Sequence, residues 1–236
     1  MQNIEYKISG TSTELVEVML RPGQDIQVQT GAMIYISDGV VMRTNLGGGF
    51  LKGVKRRLAG ENFFITTFEN MHYEKAAVGV GAYYPGQIVP VDLTKFRGHF
   101  YSQQRCFLCA ETSIDISIGF VKRLGAGIFG GEGFVLQKLT GGGLAFLQAG
   151  GSVIQKELLP GETLRIDTGC LLGFSGTVDY DISLVSGIMN PLFGREGFFL
   201  ASLTGPGIVY MQSLPFARLA ENIARAILQL PRRAFR

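Results

Sequence analysis

Apolar and polar residues alternate along most of the chain in short segments. These segments are rich in Val, Ile, Phe and Tyr and are bounded by Gly, Pro and Asp, which is the pattern of β-strands separated by tight turns. Residues 14–20, 78–84 and 153–159 are three such segments. Many short strands at regular spacing predict a mainly β fold of sandwich or barrel-like architecture.

The predicted strands recur in three similar stretches. A Pro-Gly pair precedes an alternating segment at residues 22–23, 85–86 and 160–161. A Glu placed two residues before a Phe follows in each stretch, at Glu61, Glu132 and Glu196. Self-similarity of this kind indicates a repeat architecture. We therefore expect one compact body of three β repeats, followed by a helix and basic tail: 1–76, 77–151, 152–214 and 215–236.

Only the C-terminal segment has a helical period. Apolar residues recur at three- and four-residue spacing from Phe216 to Leu230, which predicts an amphipathic α-helix. Pro215 suits the first turn of this helix, and Pro231 ends it.

One uncharged segment, residues 197–217, is about long enough to cross a bilayer. The matching segment of the second repeat carries Lys138, and both segments are interrupted by a glycine-rich break. Short apolar runs on either side of such a break predict a β-hairpin rather than a membrane span.

Composition narrows the class of protein. Only 17% of the 236 residues are charged, below the roughly 25% of typical soluble domains, and the net charge of +3 does not by itself indicate nucleic-acid binding. The chain has three cysteines, an odd number that suits a reducing compartment, and its N-terminus lacks the basic start and apolar core of a signal peptide. We expect a cytoplasmic protein, with membrane association as an alternative.

Two runs resemble a known family. The run Gly31-Ala-Met-Ile-Tyr-Ile36 and the run 47–63, with its Gly-Gly-Gly, Lys-Arg and Gly-Glu-x-Phe elements, are similar to a widespread bacterial family of uncharacterised proteins. The mitochondrial altered-inheritance (Aim-type) proteins are its eukaryotic relatives. The resemblance covers almost the whole chain.

This resemblance implies a β fold like that of the tryptophan RNA-binding attenuation protein (TRAP), in three copies with pseudo-threefold symmetry. It implies no catalytic residues, because the family has none assigned. The mitochondrial relatives are associated with inner-membrane organisation, which suggests a membrane or assembly role.

Several motifs match chemical sites only in form. Cys106 and Cys109 have C-x-x-C spacing, but residues three apart on a strand point to opposite faces, and a structural zinc site needs four ligands. The only histidines are His72 and His99, and we interpret His72 as a solvated loop residue. Residues 125–130 match G-x-G-x-x-G, which binds dinucleotides only between a strand and a helix. We expect no metal, no cofactor, no evident small-molecule substrate and no catalysis.

The recurring Glu61, Glu132 and Glu196 leave two interpretations open. Three symmetric carboxylates could converge on a threefold axis and bind a cation through oxygen. Alternatively, each carboxylate accepts backbone N–H bonds at a turn, which is the interpretation that we favour.

The loops before these glutamates, at 47–60, 119–131 and 187–194, are the most suggestive feature. They mix apolar with basic residues, a combination that marks contacts with partners or with anionic lipid. With the basic tail, they give the candidate contact residues: Phe50, Leu51, Lys52, Val54, Lys55, Arg56, Arg57, Lys122, Arg123, Arg232 and Arg233. The alternative is that these loops cap the core of their own chain while the charges face water.

The leading hypothesis is a non-catalytic β scaffold that forms a homo-oligomer or docks onto another protein. The second is a peripheral membrane protein that binds anionic lipid through the first loop and the C-terminal helix. The third is nucleic-acid binding, which rests on analogy with TRAP alone and is disfavoured, since fold does not imply function.

Overall fold

The computed structural model describes residues 4–43, 65–122, 134–184 and 199–229. Within these ranges the chain forms nineteen β-strands and one α-helix. The strands are β1 (Glu5–Ser9), β2 (Leu15–Leu20), β3 (Asp25–Gln29), β4 (Met33–Ile36), β5 (Val40–Arg43), β6 (Ile65–Asn70), β7 (Ala76–Gly81), β8 (Gly86–Asp92), β9 (His99–Gln103), β10 (Phe107–Glu111), β11 (Ile114–Lys122), β12 (Phe134–Gly141), β13 (Leu144–Gly150), β14 (Val153–Leu158), β15 (Thr163–Asp167), β16 (Leu171–Ser175), β17 (Asp179–Leu184), β18 (Phe199–Thr204) and β19 (Gly207–Gln212). The helix is α1 (Phe216–Gln229).

The strands form four antiparallel sheets, so the predicted mainly β fold is confirmed. Their strand orders are β1-β2-β7-β4, β5-β6-β3-β10-β13-β8, β11-β12-β9-β16-β19-β14 and β15-β18-β17. The two central sheets have six strands each, whereas the first has four and the last has three.

Strand pairing recurs along the chain with a period of six strands. The pairs β2–β7 and β3–β6 recur as β8–β13 and β9–β12, and again as β14–β19 and β15–β18. The pairs β4–β7 and β5–β6 recur in the same way. Two further pairs, β3–β10 and β9–β16, join one set of six strands to the next.

A β-bulge marks the same place in each set. The register shifts between Met33 and Tyr35 in β4, and the corresponding shifts fall at 107–109 in β10 and 171–173 in β16. A bulge bends its strand and increases the local twist. Because the bulge has a fixed position in the three strands, it gives a residue-by-residue alignment of them.

Two of the three Pro-Gly pairs form the same turn. The N–H of Gln24 donates to the carbonyl of Arg21 (2.9 Å), and the same bond closes the turn 159–162 (3.0 Å). Gly23 has φ +74° and Gly161 has φ +81°, as the third residue of a type II turn requires. The third pair differs, because Gly86 is the first residue of β8 and its N–H donates to Ser12.

The hairpin predicted for residues 197–217 is wrong in its pairing. The segment does contain two strands, β18 and β19, around the glycine-rich break. However, β18 pairs with β15 and β17, whereas β19 pairs with β14 and β16. The break therefore carries the chain from one sheet to another, and residues 141–143 do the same between β12 and β13.

The core consists of three clusters of buried apolar side chains. Each has a fully buried phenylalanine within it: Phe68, Phe107 and Phe174. Burying such a side chain contributes about 1.5–3 kcal/mol. The clusters draw residues from neighbouring sets of strands, so the sets are stabilised by packing against one another.

The C-terminal helix matches its predicted extent. The N–H groups of Arg218 and Leu219 donate to the carbonyl of Pro215, which precedes the first helical residue. Among the described residues, no helix has the length and apolar character that a membrane crossing requires.

Candidate assembly surface

Strand β4 is an edge strand whose apolar side chains are exposed. Its four residues, Met33 to Ile36, carry no charge, and Ile34 is 60% exposed. On one side β4 pairs with β7, and it has no strand partner on the other side within the described part of the chain. An uncharged edge strand of this kind is a template for further strand pairing.

The sequence of β7 explains how β4 is held. Gly79 and Gly81 of β7 have no side chains, so Tyr35 lies over Gly79 and Ile34 lies over Gly81. The Tyr35 hydroxyl donates to the carboxylate of Glu17 on β2. This hydrogen bond raises the pKa of Tyr35 above its ordinary value of 10.0, because the bond is lost when the phenol ionises. Thus β4 is held along the edge that pairs with β7, and its opposite edge is open among the described residues.

The strands that correspond to β4 are buried. Aligned on the bulge, Leu108 and Leu172 occupy the place of Ile34, and both are 0% exposed. Ala110 and Phe174 occupy the place of Ile36 and are also fully buried. The difference arises because β10 pairs with β3 and β16 pairs with β9 on the side where β4 has no described partner.

Strand β15 has the complementary open edge. It pairs with β18 on one side and ends its sheet on the other. Its counterparts β3 and β9 use that side to pair with β10 and β16. In β15, Ile166 is buried and Arg165 is exposed. Asp167 at its end is bonded to Arg218 of α1 (3.1 Å), which ties the helix to this strand.

One buried carboxylate has a structural partner. Glu111 accepts a hydrogen bond from the N–H of Leu144 through Oε1 (2.8 Å), while Oε2 has no partner among the described residues. Burial raises the pKa of Glu111. Ser37 and Ser175, at the corresponding strand ends, accept from Ala77 and Ile208 in the same way. Glu111 therefore fills a recurring structural role.

The cysteines are separated in space. Cys106 ends a 3₁₀ turn and belongs to one apolar cluster, whereas Cys109 lies in β10 and belongs to another. Burial raises the pKa of the Cys106 thiol to about 12 and raises that of Cys109 further. Cys170 is half-buried, and its pKa is also raised by burial.

Neither histidine belongs to a metal cluster. The described residues contain no group of three or more His, Cys, Asp or Glu side chains that could hold a metal ion. His72 stacks on Tyr73 with ring centroids 4.1 Å apart, and its Nδ1 accepts from the N–H of Glu74 (3.2 Å). It lies between β6 and β7, as a loop histidine.

A shallow, open cavity of about 290 Å³ lies beside the first turn of α1. Its lining includes Gln29, Tyr84, Arg105, Gln148 and Phe216. The Tyr84 and Phe216 rings are 5.4 Å apart, so α1 forms one wall. Its volume is close to the lower end of the roughly 300–1,000 Å³ of ligand pockets.

The helix α1 is itself only partly covered. Ile223 is 51% exposed and Ile227 is 49% exposed, on the apolar side that the sequence predicts. Arg225 pairs with Glu221 on the helix surface. The helix therefore presents an apolar face beyond its contact with the sheets.

Most predicted contact residues lie outside the described residues. These are Phe50, Leu51, Lys52, Val54, Lys55, Arg56, Arg57, Arg123, Arg232 and Arg233, and the same holds for Glu61, Glu132, Glu196 and residues 125–130. Lys122 is the last residue of β11, where it pairs with Phe134. In sequence, the segments that carry this prediction lie between β5 and β6, between β11 and β12, and between β17 and β18.

The sequence interpretation missed β4. The run Gly31 to Ile36 was noted for its resemblance and not as a contact surface. The sequence of β4 is a continuous apolar run, which ordinarily indicates a strand that is buried on both faces. Exposure of such a strand makes β4 a candidate interaction surface.

Comparison with known proteins identifies the family. The family model "Mitochondrial biogenesis AIM24" matches residues 6–214. An uncharacterized protein of Streptococcus pyogenes serotype M6 is 30% identical over 218 residues, which cover 89% of this chain and 86% of that protein. A crystal structure of a Streptococcus pyogenes protein superposes with a TM-score of 0.75 at 28% identity, covering 95% of this chain and 100% of that one. The chain therefore belongs to the mitochondrial biogenesis AIM24 family.

Proposed function

We propose that this protein is a non-catalytic β scaffold that self-associates or docks onto a protein partner in the cytoplasm. The observation that carries the proposal is the exposed apolar edge of β4, where Ile34 is 60% exposed while its counterparts are fully buried. Exposed hydrophobic strand edges favour pairing with another chain, and natural proteins ordinarily protect them with charge, proline or a covering element.

The fold supports this proposal through its internal repetition. The recurrence of strand pairs every six strands supports three TRAP-like units with pseudo-threefold character, formed by β2–β7, β8–β13 and β14–β19. These units begin at residues 15, 86 and 153. The second begins later than the Pro-Gly pattern predicts, because residues 76–81 pair as the last strand of the first unit. Units that join edge to edge are suited to assembly.

The described side chains favour a structural over a catalytic role. A nucleophilic cysteine needs a lowered pKa, whereas the pKa values of the three thiols here are raised by burial. The buried Glu111 bonds to the backbone as its serine counterparts do.

Sedimentation velocity over a wide concentration range tests self-association. We expect the weight-average mass to rise with concentration above that of one chain. A single-chain mass at every concentration would contradict self-association. The docking alternative would then depend on showing that the chain binds a defined partner protein.

A second candidate function is binding to an anionic membrane surface. The exposed face of α1, with Ile223 and Ile227, favours it, and the basic loop and tail would supply attraction of about 1 kcal/mol per Lys or Arg near the lipid. Salt would weaken that attraction.

Co-sedimentation with anionic vesicles at low and high salt tests the membrane candidate. Two variants distinguish the possible contacts. Charge reversal of Lys52, Lys55, Arg56 and Arg57 tests the loop, and Ile223→Asp tests the helix. If the loop variant alone loses binding, the loop is the contact, and if the helix variant alone loses it, α1 is. Failure of the wild type to bind rejects the membrane candidate and leaves the scaffold.

Nucleic-acid binding has weaker support. Proteins that bind single strands use exposed aromatic rings in a positive groove. Among the described residues, one group of aromatic rings packs against itself, with Tyr180 5.1 Å from Phe174 and 5.6 Å from Tyr101. Asp179 and Asp181 flank Tyr180 on the same strand, so its surroundings are acidic.

A further inference from the structure

The chain makes the same edge-to-edge joint twice. In the first joint, Cys109 of β10 is opposite Val28 of β3, and Glu111 is opposite Ile26. In the second, Gly173 of β16 is opposite Ser102 of β9, and Ser175 is opposite Phe100. Both joints are antiparallel, contain three residue pairs and begin at the residue that follows the bulge.

Two strand edges of this same kind have no pairing partner among the described residues. Strand β4 has the bulge and the sequence position of β10 and β16, and β15 has the position of β3 and β9. Among the described residues, neither strand has a partner on the edge that its counterparts use. In one chain β4 and β15 belong to different sheets, and the side chains of Met33, Ile34 and Ile36 are exposed.

We propose that β4 of one copy of this chain pairs antiparallel with β15 of a second copy and so reproduces the internal joint between copies. The inference rests on the proposed scaffold function and names its partner and contact. The bulge alignment fixes the register: Tyr35 lies opposite Ile166, Ile36 opposite Arg165, and Ser37 opposite Leu164. A second copy is the occupant because its β15 presents the edge that the internal joints already use, whereas β4 and β15 of one chain lie in different sheets and are not paired.

The side chains on β15 agree with this register. In the internal joint, Ile26 and Val28 of β3 face the core while Gln27 between them is half-exposed. In β15, Ile166 is buried, Leu164 is half-buried and Arg165 between them is exposed. Pairing would therefore place Tyr35 beside Ile166 and Ser37 beside Leu164 on one face of the joint, and Ile36 beside Arg165 on the other face.

The contact between copies is head-to-tail, since one copy contributes β4 and the other β15. A heterologous contact of this kind generates a closed ring or an open filament, because every copy retains one free edge of each type until the ring closes. Copies at the ends of an open assembly remain able to add others.

Disulfide trapping between copies tests the pairing. Two proteins, Ile36→Cys and Arg165→Cys, are prepared with Cys170→Ser, so that only the buried Cys106 and Cys109 remain. Both substituted residues are exposed, and far-UV circular dichroism verifies the fold. Opposed residues in a sheet have Cα atoms about 4.5–5.5 Å apart, within disulfide reach of roughly 4.4–6.8 Å.

We expect mixing and mild oxidation to give a cross-linked species containing one chain of each variant, with little from either protein alone. The matched control Thr163→Cys lies diagonal to Ile36 at about 7–8 Å, and its cross-linked band should be lost. A cross-link in the Ile36→Cys protein alone would show β4–β4 pairing and overturn the proposal. A third protein that carries both Ile36→Cys and Arg165→Cys tests pairing inside one chain, and a cross-link within that single chain would also overturn the proposal.

The outcomes separate this inference from the scaffold proposal. If the wild type assembles but the mixture forms no cross-link, the β4–β15 joint is rejected and self-association through another surface stands. If the wild type sediments as a single chain at all concentrations, the β4–β15 joint and self-association are both rejected, and only the docking form of the scaffold proposal is left.

Discussion

The side chain of Gln148 joins two units of the chain by accepting a hydrogen bond from the backbone N–H of Tyr83 (2.8 Å). Its Nε2 donates to the carbonyl of Arg105 (3.1 Å). Gln212 repeats this bridge one unit later, between the N–H of Gly150 and the carbonyl of Gly169, both at 2.9 Å. Both glutamines are almost fully buried, and each side chain bonds to two backbone groups.

Removal of these bridges should lower the free energy of unfolding. We expect Gln148→Ala and Gln212→Ala each to cost about 1–3 kcal/mol, because buried donors and acceptors lose their partners. Denaturant unfolding measures the effect, and the exposed Gln155→Ala on β14 is the matched control. Equal stability of the bridge variants and the control would show that the glutamines do not tie the units together.

The raised pKa of Glu111 predicts a pH-dependent stability. Burial favours its protonated form in the folded state, so the stabilising contribution of Glu111 is fully present below its ordinary pKa of 4.5 and is lost as the pH rises through the raised folded value. Glu111→Gln keeps the acceptor for Leu144 and does not ionise. We expect the free energy of unfolding of the wild type relative to this variant to fall between pH 4 and neutrality.

The control for this effect is Glu157→Gln, which changes an exposed carboxylate on β14. Denaturant unfolding at several pH values gives the comparison. If the free energy of unfolding of the wild type relative to Glu111→Gln rose with pH, the change would have the wrong sign for a buried carboxyl group.

The thiols should be inert in the folded protein. Cys106 and Cys109 are buried, with pKa values raised by burial, and Cys170 is half-buried. Since the thiolate is the reactive form, a chromogenic thiol reagent at neutral pH should modify Cys170 slowly and the other two only after unfolding. Rapid native modification that disappears in Cys106→Ser would contradict the buried placement.

An exposed lysine on the open edge should block association. We expect Ile36→Lys to sediment with a lower weight-average mass than the wild type, because natural edge strands use lysine to prevent pairing. Ile154→Lys is the matched control, since Ile154 is an exposed apolar residue on β14. If both variants assemble like the wild type, β4 is not the contact. If both dissociate, general surface apolarity governs assembly.

Local sequence patterns predict the strands and the helix of this fold, but they do not predict which strands pair. Alternation predicts the strands, and the apolar spacing from Phe216 onward predicts α1, because both depend on neighbours in sequence. The turn at Gly205 was interpreted as a hairpin because sequence shows that two strands are adjacent, whereas the choice of sheet depends on β14 to β17, which are distant along the chain.

The candidate surface shows the same limit. The residues from Met33 to Ile36 are as apolar as those of β10, so their sequence predicts burial for both strands. In the structure β10 also pairs with β3 and packs into the apolar clusters, whereas β4 has no strand on that edge among the described residues. The basic loop, by contrast, was recognisable from its composition, and its contact role stays a prediction.

Amide hydrogen exchange of the wild type, measured at low and high protein concentration, tests the central claim most directly. Backbone N–H groups on an open edge exchange with water, and pairing protects them. The account predicts that protection of residues 33–37 and 163–167 rises together as the protein assembles. Assembly that protects other segments and leaves both of these unchanged would contradict it.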